Sequence, residues 1–408
     1  FEPVIGLEIH AQLQTESKIF CGCATRFGAA PNALVCPVCL GLPGALPVLN
    51  RRAVDLGMRA GLALGCTIQK RSIFARKNYF YPDNPKNYQL TQLDFPSTID
   101  GYVDFESLGE LVRVYINRAH LEEDVGKSFH FTDCSGIDFN RAGVPLLEIV
   151  TEPDIKSADM AYDYLNAVKN ILVYGDVSDC DMEKGQVRCD VNISVRPEGQ
   201  AKLGEKVEIK NMNSMRFIQQ AIEVEAKRQI AIVEAGGEVV QETRLFDPDK
   251  QETRSMRSKE EAHDYRYFPD PDLLPLVIEQ AWVDDIGANL PELPDAKKAR
   301  FINDFGLSDY DASVLTSDLD SAGYFEATAQ GRDGKMAANW VINELFGRLK
   351  KDEKAITDSP VSPAQLGGVI DLIASDAISG KIAKDLFEIV YTEGGDPAVI
   401  VEERGMKQ

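Results

Sequence analysis

Strict alternation of apolar and polar residues near the start of the chain is the feature that most restricts its fold. In residues 5–13 the isoleucine and leucine side chains fall on one side, and Glu8, His10 and Gln12 fall on the other. Because successive side chains of a strand point to opposite faces, this period of two predicts a half-buried β-strand. The same pattern predicts strands over 188–195, 207–210 and 111–117. Three of these strands carry mostly acidic or metal-binding groups on their polar faces, namely Glu8, His10, Asp190, Asn192, Glu208 and Lys210.

The chain divides into two parts with different patterns. Residues 1–290 mix the predicted strands with helices over 159–174 and 214–235, whereas residues 291–408 are punctuated by helix-capping signals at Ser308, Ser362 and Asp396. Leu290–Pro294 is the predicted linker. A chain of 408 residues has room for two or three domains of roughly 150 residues each. We therefore predict a first part built on a sheet and a second part that is nearly all helix.

The composition is that of an ordinary globular protein with an acidic surplus. Apolar residues make up 44% and charged residues 27%, and the formal net charge is −21. This acidity disfavours a simple nucleic-acid-binding module, because like charges repel at long range, and it suits divalent metals where carboxylates converge. No secretory signal opens the chain, and the uncharged run 27–50 contains four prolines, which predict a turn-rich loop rather than a membrane helix. We expect a cytoplasmic protein without a membrane segment.

Four of the eight cysteines have the spacing of a metal-binding knuckle. Cys21 and Cys23 are followed, after twelve intervening residues, by Cys36 and Cys39. Four thiolates from two tight turns can surround Zn²⁺ tetrahedrally at about 2.3 Å, and four protein ligands leave no open position for catalysis. We therefore predict a structural zinc site. The alternative is four unrelated buried thiols or two disulfides.

The polar faces of the predicted strands have two interpretations. In an antiparallel sheet such faces are commonly just solvated. The other interpretation is a shared site, because His10 is one of only four histidines and because Glu122-Glu123-Asp124 offers further carboxylates in a predicted turn. Hard oxygen ligands together with an imidazole suit Mg²⁺, which keeps several waters and bridges to substrate phosphates.

Seven segments of the chain carry long and specific motifs. They are Val4–His10, Lys77–Asp83, His120–Lys127, Asp138–Glu148, Arg188–Ser194, Glu208–Ser214 and Asp264–Pro269. Together they resemble the B-subunit family of the tRNA-dependent amidotransferases, and the resemblance covers essentially the whole chain.

The resemblance implies an enzyme that corrects misacylated tRNA, converting Glu-tRNA(Gln) to Gln-tRNA(Gln) or Asp-tRNA(Asn) to Asn-tRNA(Asn). A glutaminase A subunit would supply ammonia, and a small C subunit would brace the other two. The B subunit would use ATP and Mg²⁺ to phosphorylate the side-chain carboxylate, and ammonia would then displace the phosphate. The implied activity is that of a glutamine-hydrolysing ligase in protein biosynthesis.

The implied fold is α+β. A cradle domain related to glutamine synthetase and the guanido kinases, with an antiparallel sheet and the zinc knuckle, would cover residues 1–290. An all-helical domain would cover residues 291–360, and residues 361–408 would begin a helical tail that helps to hold tRNA. We expect further helical sequence beyond Gln408.

The candidate site residues follow from the polar faces and the resemblance together. Lys77, Lys86 and Lys210 are expected to bind the nucleotide, and no Walker-type glycine-rich loop is present. The basic residues Arg254, Arg257, Lys259 and Arg266 are expected either to contact phosphate or the tRNA acceptor end or to form a solvated face. The expected Mg²⁺ ligands and catalytic residues are Glu8, His10, Glu123, Asp190 and Glu208, with Glu122 as the adjacent alternative or partner of Glu123.

Two other functions compete with this one. A non-catalytic scaffold that binds tRNA would need the helical tail but not the carboxylates of the strands. A free-standing ligase of the glutamine synthetase type would act on a small molecule without tRNA or a partner subunit. The second helical part of the chain argues against such a ligase, which has no obvious use for it.

Overall fold

The structure is a computed structural model that describes residues 1–210, 212–256 and 264–407. The chain forms two compact units, Phe1–Pro291 and Glu292–Gln408. The first unit combines a large, mostly antiparallel sheet with helices, and the second is helical. The α+β prediction is therefore confirmed. The relation to glutamine synthetase and the division of the helical part at residue 360 stay predictions.

The described residues of the first unit form sixteen strands and four α-helices. The strands are β1 (Glu2–Gln12), β2 (Thr67–Ile68), β3 (Arg71–Ser72), β4 (Ala75–Asn78), β5 (Tyr88–Thr91), β6 (Thr98–Ser107), β7 (Glu110–Glu123), β8 (Lys127–His130), β9 (Ser135–Asp138), β10 (Pro145–Thr151), β11 (Val187–Arg196), β12 (Val207–Lys210), β13 (Glu242–Asp247), β14 (Glu252–Ser255), β15 (Phe268–Pro269) and β16 (Leu276–Val277). The helices are α1 (Arg51–Ala63), α2 (Ala158–Tyr174), α3 (Met215–Glu234) and α4 (Gln280–Ala288).

Nine strands form one sheet in the order β14-β13-β12-β11-β1-β10-β7-β6-β2. Neighbouring strands are antiparallel except β12 and β13, which are parallel. The four strands predicted from alternation are confirmed as β1, β11, β12 and the first part of β7. β1 lies between β11 and β10, so the strand with the clearest alternation is also central in the sheet.

One face of this sheet packs against α1, α2 and α3 and forms the core. Ile5, Leu7 and Ile9 of β1 are almost fully buried there, beside Val191 and Ile193 of β11. The side chains between them point to the opposite face, as the period of two requires. A smaller sheet in the order β15-β4-β5 lies beside β7 on that polar side, because Thr91 and Leu90 contact the end of β7.

The predicted turn at Glu122-Glu123-Asp124 is wrong, because β7 continues through Glu123. The alternation is lost near Arg118 because the register shifts there: Val150 pairs with Arg118, but Thr151 pairs with Ile116. Such a β-bulge adds one residue to a strand and changes which residues share a face. In the sequence this β-bulge is visible as a break in the alternation of polar and apolar residues. Only the pairing of β7 with β10 shows that the strand continues to Glu123.

The second unit is built from short helices with side-chain caps. Ser308 and Asp396 accept hydrogen bonds from the first turns of their helices, and Ser362 forms a full capping box with Gln365. The three predicted helix starts are therefore confirmed. No helix among the described residues combines the length and apolar character needed to cross a bilayer. The α-helices are α5 (Pro294–Phe305), α6 (Asp309–Leu315), α7 (Leu319–Ala329), α8 (Gly334–Asn339), α9 (Phe346–Lys351), α10 (Pro363–Ala374), α11 (Gly380–Glu393) and α12 (Pro397–Glu403), with a π-helix at Trp340–Leu345 and a 3₁₀ turn at Ile356–Asp358.

A buried carboxylate fastens α3 to the edge of the large sheet. Glu225 is fully buried and accepts hydrogen bonds from Arg228 and Gln229 of its own helix and from Thr253 of β14. Arg244 of β13 lies 3.7 Å from the same carboxylate. Thr243 of β13 and Ser255 of β14 line the polar face. The contacts of Glu225 therefore hold these two strands in place from the helical side of the sheet.

We predict that Glu225→Ala lowers the free energy of unfolding by about 2–4 kcal/mol, because the buried Gln229 and Thr253 each lose an acceptor and the half-buried Arg228 loses its ion-pair partner. Glu223 lies on the exposed side of the same helix, so Glu223→Ala is the matched control and should change it by no more than about 0.5 kcal/mol. Urea denaturation of both variants measures the difference. Equal stabilities for the two variants would contradict the prediction.

Candidate functional site

The four predicted zinc ligands converge in the loop between β1 and α1. One sulfur atom from each of Cys21, Cys23, Cys36 and Cys39 lies within 4.8 Å of the others, and none of these cysteines is in a disulfide. Hydrogen bonds from the Cys21 thiol and the Cys36 amide, together with the Lys18 ammonium, lower the pKa of Cys39 to about 4 against the effect of burial. Four converging sulfur donors, one of them a thiolate at neutral pH, fit the tetrahedral donor set of Zn²⁺.

A buried lysine accompanies this four-cysteine knuckle, which comprises residues 21–39. The Lys18 side chain is fully buried, and its ammonium donates to the carbonyl oxygen of Leu34 at 2.7 Å. It also lies 3.4 Å from the Cys39 sulfur and 3.4 Å from the Phe139 carbonyl oxygen. A buried charge requires such partners. Lys18 was not singled out from the sequence, because nothing in the local pattern shows that this lysine is enclosed.

The polar face of the nine-stranded sheet carries the other predicted ligands in two adjoining groups. Glu8 lies opposite Asp190 across the β1–β11 pair, and His10 lies opposite Glu148 across the β1–β10 pair. The first group consists of Glu8, Asp190 and Glu208, and the second consists of His10, Glu122 and Glu148. Within each group, one ligand atom from each residue lies within 4.8 Å of the others. The groups are neighbours because Glu8 and His10 point to the same face of β1.

The first group is held by polar contacts and balanced by one lysine. Asn192 donates to Glu8 at 3.0 Å, and Thr243 donates to Glu208 at 3.0 Å. The Lys210 ammonium lies 3.5 Å from the carboxylates of both Asp190 and Glu208. Burial, and then the charges of Glu148, Glu208 and Asp190, raise the pKa of Glu8. The group therefore has a surplus of negative charge that a bound cation would relieve.

The second group is centred on His10 and contains one ligand that the sequence did not single out. Nε2 of His10 lies 3.4 Å from Glu122 and 3.7 Å from Glu148. Nε2 of the buried His120 lies 3.0 Å from Glu148. Burial disfavours a charge on His120, but Glu148 and Glu122 outweigh it and raise its pKa to about 9. His120 and Glu148 both lie in the quoted motifs, yet only the pairing of β7 with β10 brings them to His10.

The structure places Glu123 outside both groups. Its carboxylate accepts a hydrogen bond from the Leu90 amide at 3.1 Å and forms an ion pair with the Lys86 ammonium. Of the two adjacent carboxylates, Glu122 is therefore the one that lies with His10. Because it pairs with Glu123, Lys86 lies at the border of the site and outside both ligand groups.

Lys77 lies on β4, above the second group. Its ammonium is 4.7 Å from the centre of the Tyr265 ring. Burial lowers the pKa of Lys77, but Glu122, Tyr265 and Glu148 raise it to a greater extent. Each group of ligands thus has one protonated lysine beside it, Lys77 for the second group and Lys210 for the first.

The buried carboxylate of Asp124 orients an arginine at the end of the site. The Asp124 side chain accepts a hydrogen bond from Arg188 at 2.9 Å and from Gln12 at 3.2 Å. Arg141 lies 3.5 Å from the same carboxylate. Burial raises the pKa of Asp124, but the two arginines reverse this effect and lower it. Because Arg188 is the strand neighbour of His10, this contact fixes a guanidinium beside the second group.

A cleft of about 1900 Å³ opens over the first group and is lined by Glu8, Lys77, Glu208, Lys210 and Tyr265, among other residues. This exceeds the roughly 300–1,000 Å³ of ordinary small-molecule pockets. Arg266 also lines the cleft, and Arg254 forms an ion pair with Asp247. Arg257 and Lys259 lie outside the described residues. The contact of this basic stretch with phosphate or tRNA stays a prediction.

Two family models match the chain in the same order as its two units. Residues 3–284 match the GatB/GatE catalytic domain, and residues 323–408 match the GatB domain. The chain belongs to the GatB family. All the described ligand groups, including the knuckle, lie within the segment that matches the GatB catalytic domain.

Curated members of the GatB family match the chain over its whole length. It is 64% identical to the B subunit of the aspartyl/glutamyl-tRNA(Asn/Gln) amidotransferase from Ruegeria sp. (strain TM1040), with 100% of this chain and 84% of the relative covered. The protein of the same name from Roseobacter denitrificans is also 64% identical, and that of Jannaschia sp. (strain CCS1) is 60% identical, with the same coverage. The chain is thus similar over its whole length to B subunits of this amidotransferase.

We predict that Lys18→Met weakens the metal-binding knuckle. The substitution leaves two carbonyl groups and a thiolate without their buried donor, at a cost of about 1–3 kcal/mol for each unsatisfied group. Purified protein should lose zinc to a chromogenic chelator faster than the wild type and unfold at a lower temperature. Lys70→Met, which changes an exposed lysine, is the control. Zinc release at the same rate in both variants would exclude this role for Lys18.

Proposed function

We propose that this chain uses ATP to activate the side-chain carboxylate of Glu-tRNA(Gln) and Asp-tRNA(Asn) for amidation. The names of its relatives supply the aspartyl- and glutamyl-tRNA substrates. The observation that carries the proposal is the pair of adjoining ligand groups on one sheet face, with a lysine beside each group. Such a site suits a reaction in which several negative charges must be brought together.

The chemistry explains why this charge arrangement is needed. A carboxylate is a poor electrophile, and an acyl phosphate gives it a leaving group that ammonia can displace. Phosphoryl transfer depends mainly on positioning and on neutralising charge. When bound, Mg²⁺ would neutralise phosphate charge and orient the reacting oxygens. The residues that would hold it are Glu8, Asp190 and Glu208 in the first group and His10, Glu122 and Glu148 in the second.

The surrounding side chains orient these ligands. Asn192 and Thr243 fix Glu8 and Glu208, and His120 fixes Glu148. Partners of this kind set the direction in which a ligand presents its lone pairs, and their loss typically costs about 10–100-fold in metal affinity. We assign Glu123 to the support of Lys86 at the border of the site, since its carboxylate is already engaged there.

The lysines are suited to anionic parts of the substrates. Lys77 and Lys210 are held protonated by the neighbouring carboxylates, so each offers ammonium donors to phosphate oxygens or to the carboxylate being activated. Lys86 would contribute positive charge at the edge of the same site, in its pair with Glu123. The protein would need no glycine-rich phosphate loop, because metal and lysines supply the charge compensation.

The partners follow from the reaction. Ammonia must reach the acyl phosphate without being lost to water, so a glutaminase A subunit is expected to deliver it, and a small C subunit is expected to join the two. The size of the cleft suits a nucleotide together with the aminoacylated end of a tRNA. Amidated aminoacyl-tRNA is used in translation, so the chain is expected to act in the cytoplasm. The zinc knuckle has a structural role in this scheme.

We predict that Asp190→Asn and Glu122→Gln each lower ATP-dependent amidation by about 100-fold or more, because each removes one charged ligand from a preorganised site. The assay follows both amidated tRNA and ATP hydrolysis that depends on misacylated tRNA, in the complex assembled with its partner subunits. Glu106→Gln, at an exposed position of β6, is the control. A scaffold subunit would retain full activity in all three variants, and a small-molecule ligase would hydrolyse ATP without tRNA.

We also predict a trade-off between stability and metal binding at Glu8. Because its pKa is raised on folding, the ionised carboxylate destabilises the metal-free protein as the pH rises through the folded-state pKa. In the presence of a chelator, Glu8→Gln should therefore unfold at a higher temperature than the wild type at about pH 8, with the difference vanishing near pH 4. Added Mg²⁺ should stabilise the wild type more than the variant. A variant that unfolds earlier at about pH 8 would refute the assignment.

A further inference from the structure

The two chain segments that flank the cysteine knuckle both contact Lys86. Phe20 immediately precedes Cys21, and the Lys86 ammonium lies 5.6 Å from the centre of its ring. Gly41 follows Cys39 by two residues and packs directly against the aliphatic part of Lys86. The Lys86 side chain is only 11% exposed and reaches from these contacts to the Glu123 carboxylate.

The contact at Gly41 leaves no space for a side chain. A Cβ atom added there would lie 2.6 Å from Cγ and 3.0 Å from Cα of Lys86. Gly41 also has a φ of +67°, a conformation that glycine adopts without strain. The amide of Gly41 donates to the carbonyl of Val38, between the last two cysteines, so its position depends on the turn that presents them.

Closing the knuckle ties these two segments together. Cys21 and Cys39 are the first and last of the four converging ligands. Cys21 directly follows Phe20, and Gly41 lies two residues after Cys39. A metal bound by all four residues would restrict the loop between them and so hold both sides of the Lys86 contact in one arrangement. Without that restraint, Lys86 would lose the contacts with Phe20 and Gly41 that direct its side chain towards Glu123.

We propose that the metal-closed knuckle is a positioning element for the reaction, and that it acts by directing Lys86 onto Glu123. Gly41 and Phe20 are the positioning residues, because each contacts Lys86. Glu123 directly follows Glu122 in β7, so a shift of the Lys86–Glu123 pair is transmitted along the strand to the second ligand group. The inference rests on the proposed function for its effect on amidation, but the contact itself can be tested without activity.

The test compares Gly41→Ala with Gly44→Ala in the full chain. Both glycines have a positive φ in the same loop, but a Cβ atom at Gly44 meets no atom within 4 Å. The two substitutions therefore share their backbone strain and differ in the contact with Lys86. The first readout is acylation of Lys86 by a water-soluble reagent, quantified by mass spectrometry relative to the exposed Lys70.

Gly41→Ala is expected to increase labelling of Lys86 by about tenfold, since it displaces a protected ammonium, whereas Gly44→Ala should stay within about twofold of the wild type. Stripping zinc from the wild-type protein with a chelator should also increase labelling, and readding zinc should reverse it. This second route needs no substitution and decides the question if Gly41→Ala fails to fold. Unchanged labelling of Lys86 after zinc removal would overturn the inference.

The second readout is the rate of ATP-dependent amidation by the assembled complex. Gly41→Ala should lower kcat by about tenfold or more through misplacement of a site residue. In a Lys86→Met background the same substitution should have almost no further effect, because its target is gone. An equal effect in both backgrounds would overturn the inference. Increased labelling of Lys86 with an unchanged rate would support the contact but overturn the inference that this contact positions Lys86 for the reaction.

Discussion

Mutual repulsion of carboxylates on one face of the large sheet is the constraint on which the site depends. Glu8, Asp190 and Glu208 lie close together, and burial, followed by the charges of the neighbouring carboxylates, raises the pKa of Glu8. The protein offsets this cost only in part, with Lys210 in the first group. The net charge of the first group therefore stays negative even when Lys210 is included. Such a group suits a divalent ion and the phosphates that the ion accompanies.

The sheet makes this concentration of charge possible because its other face is a core. Residues such as Ile5, Leu7 and Ile9 hold β1 against the helices, so the intervening Glu8 and His10 cannot turn away from each other. Side chains on strands buried from behind are placed more accurately than side chains on loops. The buried Glu225 extends the same support to the edge strands, since it joins α3 to β14.

The knuckle and the ligand groups form one connected structure. Lys18 links Cys39 to the Phe139 carbonyl, in the loop before β10, and the amide of Gly143 in that loop donates to the carbonyl of Asp124. Asp124 in turn holds Arg188 beside His10. The four-cysteine knuckle, whose ligands would leave a bound metal no open position for catalysis, is thus connected by hydrogen bonds to the part of the molecule where chemistry is proposed.

The sequence by itself determined the strands, the sides on which their polar residues lie and the four-cysteine knuckle, because these depend on periods and spacings of a few residues. Only the tertiary structure decided that Glu122 rather than Glu123 joins His10, that Glu148 completes the group and that Glu8 belongs to a separate one. It also enclosed Lys18 beside the sulfur atom of Cys39. Strand register and a β-bulge set these outcomes, and both depend on pairing between segments far apart in the chain, which no local pattern encodes.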